Sequence, residues 1–281
     1  MRMSLRRVPL VVLLSMMLSA TAYADGGGNK QPSLGGPIFD ITHVDVIPAT
    51  VNGLDFQQTA YAAMFKYRDA SQHDQGLESF RIVNWVLAAN HAQIVDVWDS
   101  LEALDRHLAK HHSVDFRFAV QNVVPPPPPA SFDCCIGSPI DDRQYSLVKS
   151  FGKSWTSSGL PATVGSSGAL FVITYVDFLQ EVLEADPDGG QNKLVQYGGA
   201  SSKANPGHLL SYTVLQQLDR PNRSVFLEVW DTEANYIAWQ GGAVTKSFVA
   251  QTTPLLGSPF DHRLNILCGE TFVDGTGCVP P

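Results

Sequence analysis

Apolar and polar positions from Ile38 to Val46 alternate among β-branched residues, the pattern of a strand. Phe56, Ala60, Ala63, Met64 and Tyr67 then recur at i, i+4, i+7, i+8 and i+11, which predicts one core-facing helix, with Asn52 placed to cap it and Gly76 to end it. Two alternating runs follow, Glu78 to Leu87 and Gln93 to Trp98, joined by an Ala-Ala-Asn-His link suited to a hairpin. Asp99, with Glu102 three residues on, has the spacing of a capping box, and Leu101, Leu104 and Leu108 form the inner stripe of a second helix. A strand at Gln144 to Phe151 closes the series. The order β-α-β-β-α-β predicts a ferredoxin-like unit with both helices on one face of its sheet.

The same order returns later in the chain. IFDITHVDV from Ile38 is matched by LFVITYVDF from Leu170, Val97-Trp98-Asp99 by Val229-Trp230-Asp231, and Gly137-Ser138-Pro139-Ile140-Asp141-Asp142-Arg143 by Gly257-Ser258-Pro259-Phe260-Asp261-His262-Arg263. Three landmarks in one order mark a duplication. The second unit is predicted to have strands at Ala169 to Leu179, His208 to Leu218, Ser224 to Trp230 and Arg263 to Leu267, with a helix after Asp231. Its first helix, in the glycine-containing stretch from Asp188 to Asn205, is expected to be short or broken. Each unit leaves one sheet face uncovered, so the fold class expected is α+β, two ferredoxin-like units packed sheet to sheet.

Trp98 and Trp230 are 132 positions apart, whereas Gly137 and Gly257 are 120 apart, so the first unit carries about twelve extra residues. They fall around Pro125 to Pro129 and Cys134-Cys135, and the prolines read as an extended strap. The organisation expected is a signal peptide at 1–24, a disordered segment at 25–36, a first domain at 37–151 with a Pro-rich insertion at 122–135, a flexible linker at 152–168, a second domain at 169–272 and a tail at 273–281.

Arg2, Arg6 and Arg7, an apolar run from Val8 to Leu18 and Ala22-Tyr23-Ala24 have the layout of a secretory signal, so export to the periplasm or beyond is expected. The run is too short for a stable span, and no membrane span is expected. Loss of the three arginines moves the formal charge from −8 to −11, and the remaining Lys and Arg are scattered, which argues against nucleic acid as a partner. Export makes disulfides the default for Cys134, Cys135, Cys268 and Cys278. Three pairings are possible. Cys268 with Cys278 would close a short loop and tie down the tail, leaving the neighbours Cys134 and Cys135 to pair in a strained ring or stay free.

The segment DVWDSLEALDRHLAKHH from Asp96 to His112, followed by GSPIDDR, resembles the antibiotic biosynthesis monooxygenase family of dimeric α+β barrels. The resemblance implies an intrachain version of that barrel, an internal pseudo-dimer with further self-association left open. It also implies a pocket between sheet and helices, a small aromatic molecule as partner and phenol or quinol oxidation without a cofactor. His107 is then the candidate base, Trp98 an aromatic wall, and His43 and Asn84 donors to substrate oxygens. His111, Tyr175, Trp230 and Trp239 are candidate substrate-binding residues. Haem binding through a helix histidine and a non-catalytic binding or scaffold role are the alternatives. His107 and His111 stand at i, i+4 and could share a metal, with His112 turned away, but no carboxylate stands at matching spacing and no metal is expected. Trp239 stands where the first unit has His107, and Tyr175 where it has His43, so any active site is expected in the first unit.

Overall fold

A computed structural model of the chain describes residues 36–47, 50–51, 54–88, 90–121, 140–156, 160 and 169–268. The expected signal segment, Asn52 cap, proline strap with Cys134 and Cys135, most of the expected 152–168 linker and the expected tail with Cys278 lie outside the described residues. Among the described residues, no helix is long and apolar enough to cross a membrane.

The first unit runs β1 (Ile38–Asp45), a small hairpin of β2 (Thr50–Val51) and β3 (Leu54–Asp55), α1 (Phe56–Ser71), β4 (Leu77–Trp85), β5 (His91–Trp98), α2 (Leu101–Leu108), α3 (His111–Gln121) and β6 (Asp141–Gly152). The second runs β7 (Leu170–Asp177), α4 (Gln180–Ala185), α5 (Gly189–Ala204), β8 (Leu209–Gln217), β9 (Arg223–Trp230), α6 (Glu233–Gln240), α7 (Ala243–Thr252) and β10 (Asp261–Leu267). The long strands form one closed barrel in the order β1-β5-β4-β10-β7-β9-β8-β6. Within each unit the order is that of a ferredoxin-like sheet. Across units, β6 pairs with β8 and β10 with β4, both antiparallel, so the two sheets face each other and also join edge to edge. Among the described residues, closure leaves the long strands no unpaired edge of the kind a single unit would expose to solvent or to another chain.

Both faces of the sheet are covered. Phe39, Ile41, Val95 and Val97 from the first unit meet Phe171, Ile173, Leu227 and Val229 from the second inside the barrel. Outside it, Tyr61, Met64 and Phe116 pack on Ile82 and Ile94, while Leu194, Tyr197 and Phe248 pack on Val172, Val214 and Phe226. Each such side chain contributes about 1.5–3 kcal/mol when fully buried. Part of the expected linker is also packed: Trp155 and Leu160 belong to the interior cluster, and Arg81 donates to the Trp155 carbonyl at 2.6 Å with its guanidinium 5.3 Å above the indole.

Three expectations are corrected here. Ser100, not the expected Asp99, caps α2, accepting from the backbone N–H of Ala103, and Thr232 caps α6 in the same way, accepting from that of Asn235. The single helix expected after each Val-Trp-Asp is two helices, broken at Ala109-Lys110 and Gly241-Gly242. Ser113 Oγ donates to the His107 carbonyl and Thr245 Oγ1 to the Trp239 carbonyl, so both breaks are built alike.

The third concerns α5, which is continuous and as long as α1, at 16 residues each. Its glycines admit neighbouring rings: a Cβ on Gly198 would lie 2.3 Å from the Tyr212 ring, and one on Gly190 would lie 2.9 Å from Phe178. Close packing offsets the propensity penalty. Gly198→Ala should therefore lower the melting temperature, because ~1–3 kcal/mol of overpacking outweighs the ~1 kcal/mol by which alanine improves a helix. A raised melting temperature would show that the ring moves aside freely.

Candidate functional site in the first unit

The turn after α1 brings Asp74 to the start of the site. Its Oδ2 lies 2.6 Å from His107 Nδ1, and His107 Nε2 lies 2.5 Å from the hydroxyl of Tyr67 on α1. A carboxylate accepts, so Nδ1 carries the proton. Nε2 is then left to accept from Tyr67, in an Asp74–His107–Tyr67 chain. Lys110 Nζ also donates to Asp74, and His112 Nε2 lies 3.0 Å from the same carboxylate. The Trp98 ring is 4.4 Å from that of His107, and Phe116 stacks on Tyr67 at 4.5 Å.

His107 is closed to solvent at 1% exposed, while Lys110 and His112 reach the surface. Burial lowers the affinity of His107 for a proton, and the bond to Asp74 opposes that. Asp74 is itself partly buried, which raises it, but hydrogen bonds from Lys110 and His107 hold it below the usual carboxylate range.

Beneath the ring lies a second layer of acid. Trp98 Nε1 donates to Asp96 Oδ2 at 2.6 Å, and burial pushes Asp96 up to about 7. Asp40 stands opposite Asp96 in the β1–β5 register and is raised well above the ordinary value, by burial first and then by Asp96. Glu228, 132 positions after Asp96, is buried in the same way beneath Trp230 and is pushed up to about 8 by burial. Each unit thus keeps a carboxyl under its tryptophan.

The structure brings together only Trp98 and His107 of the four candidate catalytic residues. Asn84 shares their sheet face but pairs with Ala92, six residues along β5 from Trp98, or roughly 20 Å at ~3.3 Å per residue. His43 is on the opposite face, inside the barrel, where its Nε2 lies 2.8 Å from the Tyr175 hydroxyl and its Nδ1 3.0 Å from Arg263 Nη1. His111 has a side chain 91% exposed and pairs with Asp115 at 3.0 Å. The break before α3 resets the helical phase, so His112, not His111, turns toward His107.

In the second unit Trp230 is buried, and Trp239 Nε1 donates to Tyr197 Oη at 2.9 Å. Cys268 is buried and disulfide-bonded.

Asp74, His107 and His112 each offer a donor atom within 4.8 Å of the others, a spacing that a metal ion could bridge. In the structure the carboxylate links the two rings directly. Sequence reading missed Asp74, Tyr67, His112 and Asp96. Only Asp96 left a signal, an acid before Val-Trp in both units. At the offset of 132 the counterparts of Asp74, His107 and His112 are Pro206, Trp239 and Val244, while Tyr197, stacked on Phe248 and bonded to Trp239, takes the place of Tyr67, so the second unit keeps the tyrosine but not the acid or the histidines. It has instead a surface groove of about 350 Å³ between α5 and α7, walled by Tyr197, Val244 and Phe248.

Residues 191–251 match the family described as antibiotic biosynthesis monooxygenase, a stretch that covers α5 through most of α7. No curated protein sequence matches the chain. Among solved structures, it is similar to a candidate monooxygenase from Fusobacterium nucleatum (13% identity, 83% of this chain and 93% of that one, TM-score 0.60). It is also similar to an anthrone oxidase-like protein (14% identity, 82% and 91%, TM-score 0.56). A third is a candidate monooxygenase from Lactobacillus acidophilus (14% identity, 83% and 94%, TM-score 0.55). At these identities the likeness is one of fold, and it extends over both units.

Proposed function

Because this chain is two fused units with the antibiotic biosynthesis monooxygenase fold, we propose that it is an exported oxygenase of a small phenol or quinol, needing no cofactor, with its chemistry in the first unit. The observation that carries this reading is the Asp74–His107–Tyr67 chain against Trp98. A substrate hydroxyl at the Tyr67 oxygen would pass its proton to that oxygen as Tyr67 passes its own to His107 Nε2. Asp74 steadies the imidazolium formed. The substrate anion left behind is richer in electrons and reacts with O2 more readily than the neutral phenol. In the balanced reaction an open ring carbon of the phenol or quinol takes one atom of O2, its own hydrogen and the hydroxyl hydrogen leave with the other atom as water, and the ring becomes a quinone, all the electrons coming from the substrate.

The burial of His107 favours a second reading, a binding protein that holds an aromatic ligand without turnover. Oxygen uptake by the mature protein with a panel of quinols, beside a titration with haem, separates them. Turnover is expected, and Tyr67→Phe should slow it about 10²–10⁴-fold. No uptake with any quinol would leave the binding reading, and a Soret shift with haem would replace both.

A further inference from the structure

The duplicated Gly-Ser-Pro-x-Asp-x-Arg segments deliver their arginines to one place. Arg143 on β6 and Arg263 on β10 lie 5.9 and 5.0 Å from the ring of Tyr175 on β7. Each is held by the aspartate two residues before it, Arg143 by Asp141 at 2.5 Å and Arg263 by Asp261 at 3.0 Å. A third pair, Arg223 with Asp177 at 2.9 Å, stands beside them. The three arginines, Asp177 and Asp261, together with Tyr145, Tyr175 and Gln217, line a cavity of about 220 Å³ at one mouth of the barrel. It lies on the opposite sheet face from His107.

Three guanidinium groups matched by three carboxylates leave no net charge to attract an ion. What the cavity offers is alternating donors and acceptors. Arg263 can only donate, so His43 Nδ1 accepts and its Nε2–H donates to the Tyr175 oxygen, which leaves the Tyr175 proton for another acceptor. The Tyr145 hydroxyl, buried beside Arg143, is a further donor. On the acceptor side, Asp261 uses one oxygen for both of its bonds to Arg263, and Asp177 uses one for Arg223. Gln217 donates through Nε2 to Asp219, while its Oε1 is buried with no hydrogen-bond partner. A buried amide oxygen left bare is costly, and a ligand hydroxyl in the cavity would satisfy it.

Hydroxyl groups both donate and accept, which is what such a lining needs. A carboxylate only accepts, and Asp177 and Asp261 would repel it. The volume is below the ~300–1,000 Å³ of sites for drug-sized ligands. At the place related by the duplication, Trp85 takes the position of Gln217 and lies 6.0 Å from Arg263, so the amide is built at one mouth only.

We propose that this cavity binds a small neutral polyol, a ligand the size of one sugar unit. Calorimetry on the mature full-length chain tests it, with glucose, galactose, mannose, inositol and glycerol in one arm and acetate, lactate and citrate in the other. Binding of at least one polyol is expected, weakened tenfold or more in Gln217→Leu and in Tyr145→Phe, each checked for an unchanged melt. His107→Ala should leave it intact, which keeps this result separate from any loss of oxygen uptake. No heat with any polyol, tighter binding of a carboxylate, or affinity unmoved in both variants would overturn the proposal.

Discussion

His107→Ala should abolish quinol-dependent oxygen uptake, while Trp239→Ala, at the matching position of the second unit, should leave uptake intact and lower stability. Loss of a base acting on the substrate costs about 10²–10⁴-fold in rate, and without His107 the Tyr67 hydroxyl has no ring nitrogen to receive its proton. Removing the ring also leaves Asp74 buried beside Lys110, so His107→Gln is the better-folded control and should be equally inactive. Trp239 bonds Tyr197 and packs near Trp230 at the rim of the second helix layer. It is only partly buried, so its truncation should fall short of the ~3–5 kcal/mol of a fully buried tryptophan. Paired rate measurements and thermal melts decide the matter. Activity that survives His107→Gln but vanishes in Trp239→Ala would move the site to the second unit.

Glu228→Gln should gain stability relative to the native chain as pH rises from about 5 to 8. Glu228 is completely buried, and burial raises it from an ordinary value of 4.5 to about 8. Between those values the folded protein holds the proton and the unfolded chain releases it, so each step up in pH favours unfolding. Below 4.5 both states are protonated and the contribution is fully present; above about 8 it is gone. At pH 7 the difference amounts to roughly 3 kcal/mol, at ~1.36 kcal/mol per pH unit. Glutamine has nothing to titrate, so its advantage over glutamate should grow from pH 5 to 8 in denaturant titrations. Parallel pH slopes for the two proteins would show that Glu228 ionises freely in the fold.

Much of the architecture was legible. Alternation marked the strands because a pleated strand buries alternate side chains, and the α1 stripe was clear because Phe56, Ala60, Met64 and Tyr67 share one face. The site was less so, for reasons particular to each residue. His43 was assigned to the wrong face because both faces of this sheet are buried, so Phe39 and Ile41 look no different from Ile38 and Val44. An unbroken helix through Ala109-Lys110 would place His111 rather than His112 near His107, and nothing in that stretch announces the break. Tyr67 was read as packing, since a tyrosine in an apolar stripe shows its ring before its hydroxyl. Asp74 stands 33 positions from His107, with a strand pair between them.

The sequence by itself determined the duplication, the order of elements in each unit and the contrast of His107 with Trp239, because those rest on local periodicity and on comparing one half with the other. Only the tertiary structure decided that the sheets close edge to edge, that Asp74 and Tyr67 flank His107, and that His43 and Tyr175, equivalents in the repeat, meet inside the barrel. Those contacts join residues distant in the chain, the first and last through pairing between the units and the second through the packing of α1 against α2 and α3, none of which a local pattern encodes.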